Sequence, residues 1–295
     1  MVLLSAVALL AIRPKVTVSV EPYRIWPTCY RISNGLIDCV VVPAIGRVMR
    51  VGRVGGPNLL FESPLRANGS PVFGGAWQNF GGDKIWPAPQ SGWNWPPEPE
   101  YDVTPWHAES LRDGVRIWTT RKGAITGLLL ERTIRLKEDA AEVDFDNRYT
   151  NGSQEPKRCA GWQVCQVDDP VECQLPRDST EANPKGWSTY DPIDVSELVK
   201  ESSTVVSIRR SRTKSAKFGS TSAAGFVSAL VGHEKLTLTS AHPTGEYVDG
   251  GRAQQVYISQ DPAKYAEIEI TGPLKTLSPG SMLLFQTKLK LEPAH

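Results

Sequence analysis

Two stretches of the sequence carry side chains that could do chemistry together. In the first, near the C-terminus, Tyr265, Glu267 and Glu269 occupy every second position. In a β-strand this spacing places all three on one face and the intervening Ala-Ile-Ile set on the other. The apolar set must face the core, so we expect both glutamates to look onto the open face. There either one could bind a hydroxyl group or act as a general base.

The second stretch, residues 74–106, holds five of the nine tryptophans, two Gly-Gly pairs and six prolines. Proline lacks an N–H and restricts its predecessor, so we expect neither a helix nor a central strand here. Long irregular segments of this kind are usually binding or lid segments. Flat rings beside polar groups suit a sugar ring, with Trp86 as the main stacking residue. The other candidate ligand contacts in this stretch are Asp83, Lys84, Gln90 and Trp93. The alternative is that these tryptophans plug one end of a sandwich core.

Further candidate contacts lie outside that stretch. Trp162 and Gln166 share one face of a buried-looking strand, residues 157–167, and would form a cavity floor. Lys217 ends a basic run that we interpret mainly as a solvated strand end or turn. Asp249 precedes two glycines and is first of all a turn residue, with a ligand contact as the second interpretation. Two lysines near the site would suit an acidic sugar such as a uronate.

Composition and net charge exclude several classes of binding partner. The chain has 295 residues and a formal net charge of +1, which removes the electrostatic case for nucleic acid or an anionic membrane. Neither GxGxxG nor GxxxxGK[ST] occurs, and the five cysteines and four histidines show no metal-ligand spacing. We therefore predict no cofactor and no metal. A disulfide cannot be assigned from the sequence.

The N-terminus begins with an apolar run, residues 2–12, that is too short to span a bilayer. Residues 1–19 are either a signal-like leader or a first strand with an unstructured start. A signal would make the protein secreted or periplasmic, and its absence would make it cytoplasmic. We predict one domain over residues 20–295 and no transmembrane segment.

Most of the remaining chain has the pattern of short strands between turns. Asn34-Gly35, Asp113-Gly114 and Asn151-Gly152 are hairpin-type turn signals. The run 16–26 alternates like a strand, and 194–201 is the best helix candidate. Frequent turns without βαβ spacing predict an all-β sandwich or barrel.

Four stretches in chain order carry a resemblance to a known family. They are GGDKIWPAPQ (81–90), YTNGSQEPKRCAGWQVCQV (149–167), YVDGGRAQQVYIS (247–259) and KYAEIEITGPLKTLSPGSMLLFQTKLKL (264–291). Together they resemble the galactose mutarotase-like superfamily, and in particular its DUF4380 branch, over about residues 29–291. The resemblance implies a β-supersandwich of two large twisted antiparallel sheets with few or no helices. It also implies a carbohydrate site on the concave face of one sheet.

Aldose 1-epimerases of that superfamily use a general acid histidine and a general base glutamate. The place that matches their histidine motif is residues 161–164, Gly-Trp-Gln-Val, and it has no histidine. The loss of a general acid or base typically costs ~10²–10⁴ in rate. Glu267 or Glu269 would correspond to the base.

Three interpretations follow, in order of preference. The first is a carbohydrate-binding protein that holds a mono- or oligosaccharide under the tryptophan-rich stretch. The second is an enzyme, either an aldose 1-epimerase-like isomerase with a relocated acid or a polysaccharide lyase or hydrolase. The third is a structural module that keeps the sandwich without a site.

Overall fold

The structure, a computed structural model, describes residues 16–179 and 184–294. Short strands dominate these residues, and turns separate them. In chain order the strands are β1 (Thr17–Tyr23), β2 (Trp26–Ser33), β3 (Ile37–Val42), β4 (Arg47–Arg53), β5 (Asp83–Ala88), β6 (Trp106–Ser110), β7 (Gly114–Thr119), β8 (Leu128–Leu136), β9 (Glu142–Asn151), β10 (Lys157–Asp168), β11 (Glu172–Pro176), β12 (Trp187–Thr189), β13 (Val199–Glu201), β14 (Val205–Ile208), β15 (Ala216–Ser220), β16 (Phe226–Val231), β17 (Glu234–Ser240), β18 (Gln254–Ile258), β19 (Tyr265–Thr271), β20 (Lys275–Leu277) and β21 (Met282–Pro293). The helices of the described residues are two four-residue pieces, α1 (Pro99–Asp102) and α2 (Val248–Gly251), and two 3₁₀ turns, Pro43–Ile45 and Gln90–Gly92.

These strands form two antiparallel sheets. The first sheet has the order β1-β2-β3-β4-β5-β10-β19-β18-β15-β12, with β20 also paired to β10. The second has the order β13-β14-β11-β16-β17-β21-β9-β8-β7-β6. The predicted all-β fold of two large antiparallel sheets is thus confirmed.

The core lies between the two sheets, because each strand turns its apolar set inward. In β19 the side chains of Ala266, Ile268 and Ile270 are fully buried. In β9 of the second sheet, buried and partly exposed residues alternate along the whole strand, as expected for a sheet with one covered face. We call the face of the first sheet that points away from the second sheet its outer face.

Two of the three predicted hairpin turns lie between paired strands. Asn34-Gly35 lies between β2 and β3, where Gly35 has φ 81°. The Asn34 side-chain oxygen accepts hydrogen bonds from the backbone N–H groups of Leu36 and Ile37, which closes the turn. Asp113-Gly114 likewise lies between the paired strands β6 and β7. The hairpin predicted at Asn151-Gly152 is wrong, because β9 pairs with β8 and β21 of the second sheet, whereas β10 belongs to the first sheet.

The expectation that residues 74–106 contain no central strand is wrong. Residues 83–88 form β5, which lies in the middle of the first sheet between β4 and β10. Proline is tolerated there because β4 pairs with β5 only at Val48 and Asp83, whereas β10 pairs with the whole strand. Beyond Asp83, β5 therefore has one free edge, where a missing N–H costs no ladder bond.

Two local predictions also fail. Residues 194–201 form turns that lead into β13, not a helix, because Val199–Glu201 pairs with β14. Tertiary pairing overrides the weak helix propensity of a two-turn segment. The run 16–26 is not one strand, since Arg24 has φ 54° and separates β1 from β2. Most of the predicted leader, residues 1–15, lies outside the described residues, and residues 17–19 belong to β1.

All five cysteines lie in the described residues, and each is buried and free: Cys29, Cys39, Cys159, Cys165 and Cys173. None of the helices found in the described residues has the length and apolarity needed to cross a bilayer. The same residues contain no cluster of three or more histidine, cysteine or acidic side chains suited to a metal ion.

Candidate functional site

The outer face of the first sheet brings together side chains from four neighbouring strands. The pairing register aligns Gln166 on β10 with Glu267 on β19, Glu267 with Tyr257 on β18, and Tyr257 with Lys217 on β15. The same register sets Trp162 on β10 opposite Trp86 on β5. A row of polar groups therefore runs across the sheet beside a pair of indole rings.

A cavity of about 550 Å³ lies over this row. This volume is in the range of small-molecule sites, roughly 300–1,000 Å³. Its aromatic walls and its polar lining come from both the sheet and the covering loops. The lining includes Trp77, Trp86, Trp95, Trp162, Tyr257, Tyr265, Asn79, Gln90, Ser215, Lys217, Asp261 and Glu267.

Trp86 is the centre of the aromatic wall. Its ring centroid lies 5.4 Å from that of Trp162, 5.9 Å from that of Trp77, and 6.0 and 6.2 Å from those of Trp93 and Trp95, all in edge-on geometry. Trp86 is buried, whereas Trp95 is 49% exposed at the cavity rim. The tryptophans thus form a packed cluster that is core on one side and ligand surface on the other.

A lysine and a glutamate form the polar floor of the cavity. The Lys84 Nζ lies 3.8 Å from Glu267 Oε1, which also accepts a 2.7 Å hydrogen bond from Gln166. The same Nζ lies 4.8 Å from the Trp86 ring centroid and 5.4 Å from that of Trp77, within cation–π range. Burial lowers the pKa of Lys84 from 10.5 to about 8, against the raising effect of Glu267.

A second ion pair lies beside the first. Lys217 Nζ donates a 3.0 Å hydrogen bond to Glu269 Oε2, which also accepts one from the Trp162 indole N–H at 2.9 Å. Lys217 is also 5.0 Å from the Trp162 ring centroid. Burial raises the pKa of Glu269, while Lys217 opposes that rise. Trp162 is therefore fixed by a hydrogen bond at its edge and a cation near its face.

The walls of the cavity are themselves anchored. The Trp77 indole N–H donates a 2.6 Å hydrogen bond to Asp102, which forms a buried ion pair with Arg47. Trp93 donates its indole N–H to the Pro87 carbonyl and packs behind Trp86. Such hydrogen bonds hold an indole in one orientation, which limits the entropy lost when a ligand stacks on it.

A smaller hollow of about 360 Å³ adjoins the cavity. Asp249, which has φ 55°, lies at its wall and accepts hydrogen bonds from the Tyr190 hydroxyl and the Gln255 amide. The Arg252 guanidinium lies 3.9 Å from the Tyr190 ring centroid. The turn residue predicted from the sequence thus sits next to the candidate site.

The structure gathers most of the candidate residues and separates two of them. Those that line the larger cavity are Trp86, Gln90, Trp162, Lys217 and Glu267. Asp249 lines the smaller hollow. Lys84, Gln166 and Glu269 lie buried under the cavity floor, in contact with its lining residues.

Asp83 and Trp93 do not reach the cavity. Asp83 precedes Lys84 in a strand, so it points to the opposite face, where it forms an ion pair with Arg132 of the second sheet at 2.5 Å. The candidate contacts Asp83 and Lys84 therefore lie on opposite faces of the sheet, and only Lys84 is next to the cavity. Trp93 fits the alternative interpretation, in which tryptophans of this stretch belong to the core, since it packs behind Trp86.

Other residues of the site were not chosen from the sequence. Tyr257 stands between Val256 and Ile258 in β18, and this alternation could have marked it as facing away from the core. Tyr190 and Asp261 lie in loops, and no local signal identifies them. The three histidines of the described residues, at 107, 233 and 242, line neither hollow. Glu98, a buried carboxylate of the tryptophan-rich stretch, accepts hydrogen bonds from the backbone N–H groups of Ile125 and Thr126.

Comparisons with known proteins identify the fold. No protein-family model and no curated protein matches the chain. A solved structure of a galactose mutarotase-like protein from Lactobacillus casei superposes with a TM-score of 0.58 at 10% identity, over 90% of this chain and 100% of its own. A galactose mutarotase related enzyme from Lactobacillus acidophilus gives 0.59 at 9%, over 90% and 98%. A candidate aldose 1-epimerase from Escherichia coli gives 0.55 at 11%, over 94% and 99%. At these identities the likeness shows the fold alone, a galactose mutarotase-like sandwich.

Proposed function

We propose that this protein binds carbohydrate on the outer face of the first sheet, under the segment that carries Trp77, Trp86 and Trp95. The observation that carries the proposal is the cavity itself. Its indole and phenol walls suit the apolar faces of a pyranose ring, and its amide, lysine and carboxylate groups suit the hydroxyl edge.

The fold supports the same proposal. The structural neighbours are described as galactose mutarotase-like proteins and candidate aldose 1-epimerases, which are sugar-handling proteins by name. We also propose that this chain belongs to the same superfamily, in its DUF4380 branch, on the sequence stretches quoted above.

The charges of the floor favour a neutral sugar over a uronate. Each lysine predicted to attract an acidic sugar has a glutamate beside it: Lys84 pairs with Glu267, and Lys217 pairs with Glu269. The floor is therefore close to neutral overall, and the Asp261 carboxylate of the lining is itself paired with Arg210 at 2.8 Å. A uronate carboxylate would have to compete with these internal partners.

A second candidate function is catalytic, of the aldose 1-epimerase type. Glu267 and Lys217 lie on strands separated by β18, with Tyr257 between them, and all three line the cavity, so a sugar above Tyr257 would be near both charged groups. Glu267 would accept the proton of the anomeric hydroxyl, and Lys217 would donate one to the ring oxygen. Glu269 is fully buried, so its part in this scheme is to orient Lys217 and not to contact the sugar.

Tryptophan fluorescence tests the binding proposal. We expect saturable quenching with at least one of galactose, glucose, mannose and galacturonate, with a neutral sugar binding more tightly than galacturonate. Trp95→Ala should weaken that sugar about 10-fold, because it removes a stacking surface at the rim. Trp118→Ala, on β7 of the second sheet, is the matched control and should leave the affinity unchanged. No response to any sugar would contradict the proposal.

Polarimetry then separates a binder from an epimerase. The sugar that binds best is dissolved as one anomer, and its mutarotation is followed with and without protein. A protein-dependent rate that Glu267→Gln abolishes supports the catalytic function, since the amide cannot accept the proton. An unchanged rate at saturating protein leaves binding alone.

A further inference from the structure

The cavity does not end at the ring site, because the smaller hollow continues it. The two share four lining residues, Gln90, Trp95, Trp162 and Lys217. Together they form a continuous depression across the outer face of the first sheet. A single pyranose over Glu267 would occupy the larger part and leave the smaller part to solvent.

The residues that belong to the smaller hollow alone are mostly hydrogen-bonding groups. Five of these eight residues carry hydrogen-bonding side chains, namely Ser91, Asn94, Tyr190, Asp249 and Thr271, and the other three are Ala88, Pro89 and Val248. Hydroxyl, amide and carboxylate groups facing one space suit a ligand with many hydroxyl groups.

The wall of the smaller hollow is held in place before any ligand arrives. Asp249 is fixed by hydrogen bonds from Tyr190 and Gln255, and Arg252 stacks on the Tyr190 ring. Arg252 also donates hydrogen bonds to the backbone at Asp249 and Thr189, which ties the two sides of the wall together. Preorganised polar groups lose less entropy on binding than mobile ones.

Two residues bridge the junction between the hollows. Trp162 lies under both, fixed by Glu269, and Trp95 is half exposed above both. Aromatic surfaces on either side of a junction suit a ligand that passes from one hollow to the other without a break.

We propose that the site takes an oligosaccharide of at least two pyranose units, one in each hollow, with the glycosidic bond crossing over Trp162. This inference rests on the proposed carbohydrate binding and specifies its ligand class. The unit in the smaller hollow is neutral, because Lys217 in its lining is already paired with Glu269 and Asp249 would repel a uronate carboxylate.

Isothermal titration calorimetry with matched sugars tests the inference. The probes are glucose, galactose and mannose, their methyl glycosides, and the corresponding 1,3-, 1,4- and 1,6-linked disaccharides. We expect at least one disaccharide to bind at least 10-fold more tightly than its monosaccharide and methyl glycoside. Equal affinities for every pair would overturn the inference while leaving the proposed function intact. No binding by any sugar would overturn both.

Ser91→Trp locates the second unit. Ser91 is exposed and lines only the smaller hollow, so an indole there should fill the hollow without disturbing the larger one. We expect the disaccharide affinity to fall to that of the monosaccharide, with the monosaccharide affinity unchanged within twofold. Ser196→Trp, an exposed serine outside both hollows, should change neither. A Ser91→Trp protein that keeps the disaccharide advantage would overturn the inference.

Asn94→Gly provides a milder second variant. Asn94 has φ 61°, a conformation that glycine adopts freely, so the change removes the amide without straining the turn. The disaccharide should bind about threefold more weakly and the monosaccharide equally well. A loss shared equally by both sugars would contradict the assignment of this hollow to a second unit.

Discussion

Around β5, the two faces of the first sheet, only one strand thickness apart, treat buried polar groups in opposite ways. On the inner face, Asp83 accepts hydrogen bonds from Arg132 and Gln163, and Arg132 also donates to Asn147. On the outer face, several buried polar atoms have no hydrogen-bond partner among the described residues: Lys84 Nζ, Trp86 Nε1, Gln166 Oε1 and Glu269 Oε1.

Consecutive residues of β5 illustrate the difference. Asp83 belongs to a closed network that joins the two sheets, whereas Lys84 points into an aromatic pocket with an ion-pair distance of 3.8 Å and no hydrogen bond. An unsatisfied buried group costs ~1–3 kcal/mol. At β5 the inner face therefore stabilises the fold, while the outer face leaves polar groups unpaired beneath the cavity floor.

The largest loss of stability is expected for a substitution on the inner face of the first sheet. Asp83→Ala leaves Arg132 charged, buried and unpaired, so the free energy of unfolding should fall by ~3–5 kcal/mol. Urea unfolding at pH 7 measures it. The double variant Asp83→Leu with Arg132→Met should recover much of the loss, because it removes the charge along with its partner. A single variant as stable as the native protein would contradict the comparison.

A pair of tryptophan variants sharpens the comparison within the outer face. Trp86→Ala should lower the free energy of unfolding by ~3–5 kcal/mol, since it leaves a cavity inside the indole cluster. Trp95→Ala should lower it by no more than about 1 kcal/mol, because half of that side chain is already in solvent. Thermal and urea unfolding measure both. Similar losses would show that Trp95 is a core residue and not a rim residue.

Lys84→Met tests how much the burial of this lysine destabilises the folded state. The folded pKa of Lys84 is lowered to about 8 from 10.5, so between these pH values the unfolded state binds the extra proton. Stability must then rise with pH across this window, and the penalty is full below pH 8. At pH 7 the variant should be more stable by roughly 2–3 kcal/mol.

The stability advantage of Lys84→Met over the native protein should shrink as the pH is raised from 8 to 10.5. The difference between the urea unfolding midpoints of the two proteins, taken at each pH, measures it. Lys200→Met, at an exposed lysine of β13, is the control and should show no such trend. A Lys84→Met protein that is less stable at pH 7 would mean that the contact with Glu267 outweighs burial.

The smallest effect is expected on the far surface of the second sheet. Arg116 bridges Glu109 and Glu131, and all three side chains are partly exposed. Arg116→Ala should lower the free energy of unfolding by less than about 1 kcal/mol, and salt should reduce the difference further. A loss as large as that of Asp83→Ala would remove the distinction between buried and exposed charge.

Local periodicity explains what the sequence could predict. In β19, alternation alone assigned Ala266, Ile268 and Ile270 to the core, and the structure buries all three. The hairpin at Asn34-Gly35 followed from turn chemistry in the same way. Each of these signals lies within a few residues of the structure it specifies.

The remainder depends on partners far away in the chain. Whether the proline-bearing segment at 83–88 is a loop or a strand is decided by β10, more than seventy residues later. The partnership of Lys217 with Glu269 depends on the register of three strands. The segment 194–201 ends in a strand because residues 199–201 pair with β14, and the sequence of the segment alone does not reveal that pairing.

The five buried cysteines carry a consequence of their own. Burial raises the pKa of every one of these thiols, so in the folded state they are neither accessible nor readily ionised. Alkylation of Cys173 in the second sheet or Cys165 in the first must wait until the strands part. The rate at which each of these thiols takes up an alkylating label, followed by mass spectrometry, therefore reports how often the sheet that contains it opens.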